Sequence, residues 1–132
     1  MTYLALPRPT GRTVQGPVLK RTKDELIVEY DYETDSGSVE WSSIVFAEVL
    51  VLELRDFACC RADDVVGSQE IRVQTESALL REAMERWQES VGWQSWQQEQ
   101  GGGSRFKHFS IWFDDAASLN VVASGCSVSA KG

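Results

Sequence analysis

Few residues in this chain could do chemistry. His108 is the single histidine, and the three cysteines are Cys59, Cys60 and Cys126. Together they supply a Cys₃His set, which zinc accepts. The usual C-x₂₋₄-C pairing does not occur, and two adjacent thiols chelate one ion awkwardly. Any one thiol beside His108, with Asp114 orienting the ring, would make a nucleophile and its base, provided the fold brings them together. The plainer reading is a histidine satisfied within a sheet and thiols acting as small hydrophobes. Neighbouring cysteines rarely reach disulfide geometry, and the count is odd, so reduced thiols are the expectation.

The carboxylates give two further patterns. Asp31, Glu33 and Asp35 match the alternate oxygen ligands that open a calcium loop. The match then breaks: glycine stands at Gly37, one place late, and the final ligand position is Ser42. An acidic hairpin that discourages edge-to-edge association explains the same residues. Asp114 and Asp115 form an acidic pair at an expected hairpin tip. They could do acid–base work if their surroundings split the two pKa values, but turn formation accounts for both. Trp93 and Trp96 lie in a glutamine-rich stretch with no evident core to enter. Either this loop folds back and buries both, or, since tryptophan is enriched at binding hot spots, they form part of a contact surface. On the second reading the partner-binding residues are Trp93 and Trp96 with the acidic pair Asp114 and Asp115. Phosphate-binding glycine loops, HExxH, GxSxG and dinucleotide fingerprints do not occur.

Charge points the same way. The chain of 132 residues carries a net charge of −7. Residues 1–23 hold Arg8, Arg12, Lys20, Arg21 and Lys23 with no acid, so the remainder is strongly acidic. Such a body repels a phosphate backbone, which speaks against nucleic acid, and suits a basic protein partner through electrostatic steering, while the plainer reading is that the charge only keeps the protein soluble. No apolar run reaches the roughly 20 residues of a membrane span. The first residues lack the pattern of a secretory signal, so a cytoplasmic location is expected. Cofactors are not called for by any motif.

The elements that must position these residues are readable in part. Residues 1–17 hold all three prolines, and read as a flexible or surface-wrapped arm preceding a single domain over 18–132. Glu25 to Tyr32 alternates as a half-buried strand, and Thr34-Asp35-Ser36-Gly37 turns it into a partner strand beginning at Val39. Val39 to Cys60 lacks glycine and proline and shifts phase near Ala47. It reads as one long strand with a bulge there, or as two strands that switch sheets. A helix over Glu48 to Asp56 competes, but the β-branched and aromatic content argues against it. Gln69 to Gln74 is a short strand. Thr75 or Ser77 caps a helix whose apolar stripe is Leu80, Ala83, Met84, Trp87 and Val91, ended by Gly92. Residues 93–104 read as a loop. Arg105 to Val128 reads as a hairpin with apolar residues on both faces, hence the middle of the fold. The fold class is therefore α+β, a curved antiparallel sheet of about five or six strands with one amphipathic helix packed on it.

Two tracts resemble a known group. Trp41, Ile44 and Phe46 lead into an apolar strand ending near Cys59, and HFSIWFDD at 108–115 precedes LNVVAS at 119–124. Together they resemble small bacterial proteins of unknown function, some similar to immunity proteins for secreted toxins. The resemblance implies a non-enzymatic, inhibitor-like partner-binding role and carries no active-site residue. The alternatives are a small enzyme or metal protein using His108 with a cysteine, and a homo-oligomer, such as a homodimer, built through an exposed strand edge.

Overall fold

The computed structural model describes residues 1–91, 105–113 and 117–131. The strands are β1 (Thr2–Ala5), β2 (Val18–Arg21), β3 (Glu25–Glu33), β4 (Val39–Ala47), β5 (Val51–Asp56), β6 (Glu70–Gln74), β7 (Lys107–Phe113), β8 (Ala117–Ala123) and β9 (Gly125–Lys131), with one α-helix, α1 (Ala78–Val91). They form two antiparallel sheets, not the single sheet expected. One has the order β1-β6-β7-β8-β5 and the other β2-β3-β4-β9.

Pleat alternation explains the layering. Leu26, Val28 and Tyr30 of β3 and Ile44 and Phe46 of β4 point from the four-stranded sheet into one core. Ile71, Val73, Phe109, Ile111, Phe113, Leu119, Val121 and Ala123 meet them from the five-stranded sheet. Ring pairs Phe46–Phe109, at 5.4 Å, and Tyr30–Phe113, at 5.9 Å, bridge the two layers. The opposite face of the five-stranded sheet carries α1. Leu80, Ala83, Met84 and Trp87 pack there on Phe106, Val122, Leu50 and Val51. β7 and β8 thus form part of a middle layer, which is why both their faces are apolar.

The second sheet arises at two corners. At the first, β4 passes into β5 through Glu48, whose φ is +53°, so the stretch from Val39 divides into two strands in different sheets. Few non-glycine residues adopt that region. At the second, β8 passes into β9 at Ser124, whose N–H donates to the Ala47 carbonyl at 2.9 Å. The hairpin expected to run through Val128 therefore ends at Ala123, and Val128 pairs with Ile44 in the other sheet. A single sheet was expected because alternation reports pleat phase but not which neighbour a strand pairs with.

The first residues contribute β1, an edge strand on β6 to which the sequence reading assigned no strand. Beyond it, buried Thr10 donates to the Ser68 carbonyl at 3.1 Å, and Tyr30 Oη donates to the Arg8 carbonyl at 2.5 Å. Asp31 is fully buried, and its two carboxylate oxygens accept the Val14 and Gln15 N–H groups at 3.0 and 2.9 Å. No helix among the described residues is long and apolar enough to cross a membrane.

Candidate functional site

The site lies where the polar positions of the middle sheet face the start of α1. Strand register aligns them in a row across all five strands. Tyr3 opposes Arg72, Arg72 opposes Ser110, Ser110 opposes Asn120, and Asn120 opposes Glu53. His108 and Ser118 lie on the same face, one alternation away along β7 and β8. Ser77 caps the helix above them: its Oγ accepts the Leu80 N–H at 3.0 Å and its carbonyl accepts the Arg81 N–H at 2.9 Å.

His108 joins sheet and helix. Its Nε2 lies 2.7 Å from Asn120 Oδ1, and its Nδ1 lies 2.8 Å from Ser77 Oγ. The amide oxygen can only accept, so Nε2 carries the proton and bare Nδ1 accepts the Ser77 hydroxyl. Ser110 Oγ donates to the same amide oxygen at 2.8 Å, and Asn120 Nδ2 donates to Ser118 Oγ at 3.3 Å. Burial lowers the His108 pKa below the ordinary value. Arg72 adds to that, while the Asn120 contact and Glu53 oppose it. The ring is therefore neutral at pH 7, with a free-base nitrogen held against a serine hydroxyl.

A cleft of about 560 Å³ opens over this network. It is lined by Ser77, Ala78, Leu79 and Glu82 of the helix region, by Arg72, His108, Asn120, Glu53 and Arg55 of the sheet, and by Asp63 and Asp64 of the following loop. Arg55 bridges Glu53 at 2.7 Å and Asp64 at 3.4 Å. Arg72 Nη2 donates to the Asp63 carbonyl at 2.9 Å. Its Nε is buried with no hydrogen-bond partner among the described residues. Four carboxylates thus meet two guanidiniums around a neutral histidine, so the lining is acidic.

The basic N-terminal segment spends its charge elsewhere. Arg8 pairs with Glu40, Arg12 with Asp35 at 2.6 Å, and Lys20 with Glu29 at 2.7 Å. These contacts also disperse the proposed calcium ligands. Asp31 holds the backbone of residues 14 and 15, Asp35 faces Arg12, and Glu33 is exposed.

The cysteines do not reach His108, whose hydrogen-bond partners are the oxygens of Ser77, Ser110 and Asn120. Cys59 is exposed beyond β5, and Cys60 Sγ lies 3.3 Å from the Asp56 carbonyl. Cys126 is on β9, packed against the core between the sheets. Burial pushes its thiol up to about 12, and desolvation together with Asp64 raises Cys60. Neither is a ready thiolate. Among the described residues, no group of three or more His, Cys, Asp or Glu side chains is placed to hold a metal. Trp93, Trp96, Asp114 and Asp115 lie outside the described residues.

Sequence reasoning found His108, and found Ser77 only as a cap. It missed Ser110, Ser118, Asn120 and Arg72. The available signal was polar residues at alternate positions (His108 and Ser110, Ser118 and Asn120) within two otherwise apolar strands. Compared with known proteins, the chain matches no family model, no curated protein and no solved structure.

Proposed function

We propose that this protein binds a basic partner protein, and that the acidic cleft beside the N-terminus of α1 receives a cationic segment of it. One observation carries the reading: four carboxylates line a cleft with only two guanidiniums. Three cations of the positive N-terminal segment, Arg8, Arg12 and Lys20, are paired with acids elsewhere and so do not relieve this excess. An immunity- or inhibitor-like role accords with this chemistry and with the resemblance of the 41–59 and 108–124 tracts.

The test uses a fluorescent lysine- and arginine-rich peptide and an acidic peptide of equal length. Anisotropy should show the basic peptide binding, weakening with salt mainly through slower association. Glu53→Gln combined with Glu82→Gln should weaken it, whereas Glu33→Gln, on the far hairpin, should not. Equal binding by both peptides, or no effect of the cleft variants, would refute the assignment of the surface.

A further inference from the structure

Beyond binding, and independent of whether a basic protein docks, we propose that Ser77 is a nucleophile served by His108, and that the cleft accepts a small carboxylic ester bearing a cationic group. The three parts of an activated hydroxyl stand in sequence. Ser77 Oγ is 2.8 Å from His108 Nδ1, and His108 Nε2 is 2.7 Å from Asn120 Oδ1. A nucleophile, its base and a group that orients the base are what acyl transfer requires, and an amide can orient in place of a carboxylate. The tautomer is the productive one: the bare nitrogen faces the hydroxyl.

Ser77 remains able to attack while capping the helix. Its hydrogen goes to His108 and one lone pair takes the Leu80 N–H, which leaves the second lone pair. Ser77 also lines both the 560 Å³ cleft and an adjoining hollow of about 510 Å³ beside Thr75, Arg81 and Met84. Ser77 therefore borders two open spaces, one for each side of an ester. Ala78 and Leu79 line the cleft too. Their first-turn N–H groups have no intrahelical acceptor, so they are donors for a developing oxyanion. The carboxylate excess selects the cationic substrate.

In the reaction, Ser77 Oγ bonds to the ester carbonyl carbon and its proton passes to His108 Nδ1. The carbonyl oxygen takes the electron pair as the oxyanion. Collapse breaks the bond to the alcohol oxygen, and the alcohol leaves with the proton from His108. Water then adds to the acyl carbon, giving one proton to His108. The second collapse breaks the bond to Ser77 Oγ, which recovers that proton, and the carboxylic acid departs. Ser77 and His108 are the catalytic residues. Asn120 is a positioning residue.

The probe is diisopropyl fluorophosphate with the full chain, read by intact mass and peptide mapping. Oγ bonds to phosphorus, the P–F bond breaks, and the proton leaves with fluoride by way of His108. One adduct should form, on Ser77, with a rate that rises through a midpoint below the ordinary histidine value of about 6.5. Ser77→Asn keeps a helix-capping side chain and should take no adduct while remaining folded by circular dichroism. His108→Gln should slow labelling at least a hundredfold. Asn120→Asp should move the midpoint upward, because a carboxylate favours the imidazolium. Failure to label, labelling at other residues only, or equal rates in wild type and His108→Gln would overturn the proposal. A slower Asn120→Asp variant with an unmoved midpoint would overturn the role given to Asn120.

Discussion

Acidifying the solution should destabilise this protein through His108, and the sign of the effect and the limit on its slope follow from the structure. The ring is 7% exposed, and both nitrogens are engaged by neutral side chains. Burial lowers its folded pKa, with Arg72 contributing. The unfolded chain titrates near the ordinary histidine value of 6.5. Above that pH neither state is charged at His108, and its contribution to stability is fully present. Below it the unfolded chain takes up a proton that the folded protein refuses, so stability falls as pH falls. The slope between the unfolded and folded values is at most about 1.4 kcal/mol per pH unit, the limit for one proton, and then levels off. Denaturant unfolding of wild type and His108→Gln across this range isolates the effect, since the carboxylates are common to both. The single imidazole also gives one unambiguous NMR titration. An imidazole that titrates at or above 6.5, or a wild-type-minus-Gln difference that stays flat on acidification, would refute the reasoning.

Three other outcomes are expected. Asp31→Asn removes a charge and sets an amide N–H₂ against a backbone donor at Val14 or Gln15. It should cost about 3 kcal/mol, with faster hydrogen exchange at those two amides. Leu119 and Leu54 are cross-strand partners, yet one is 0% and the other 51% exposed, because β5 is an edge strand. Leu119→Ala should therefore cost about 3 kcal/mol and Leu54→Ala under about 1, by denaturant unfolding. In maleimide labelling at neutral pH, mapped by mass spectrometry, Cys59 should react first. Cys126, whose thiol burial pushes up to about 12, should react only on unfolding.

Much of the local structure was legible. Alternation in 25–32 located β3, and Thr34 to Gly37 marked the turn, where Gly37 has a φ of +86°. The stripe Leu80, Ala83, Met84 and Trp87, with Ser77 before it, located α1 and its buried face. The phase shift at Ala47 marked a corner because adding one residue out of phase turns every later side chain to the other face. Two-sided hydrophobicity in β7 placed it in the middle layer. These features are legible because they depend on spacing along the chain.

The site was not legible, because it depends on pairing across the chain. Ser77 and His108 are 31 residues apart, and Asn120 lies a further 12 along. Spacing reveals that His108 and Ser110 share a face but not that Asn120 stands opposite Ser110, nor that Ser77 lies above them. The short apolar content of β1, β2 and β9 carries no strong period, so these edge strands are specified mainly by the partners they meet. The sequence by itself determined which residues alternate, where the helix starts and which faces must be buried, since those follow from backbone period and solvent avoidance. Only the tertiary structure decided that the strands divide into two sheets and that a serine, not a cysteine, meets the histidine. Register and packing between distant segments set both, and no local spacing records them.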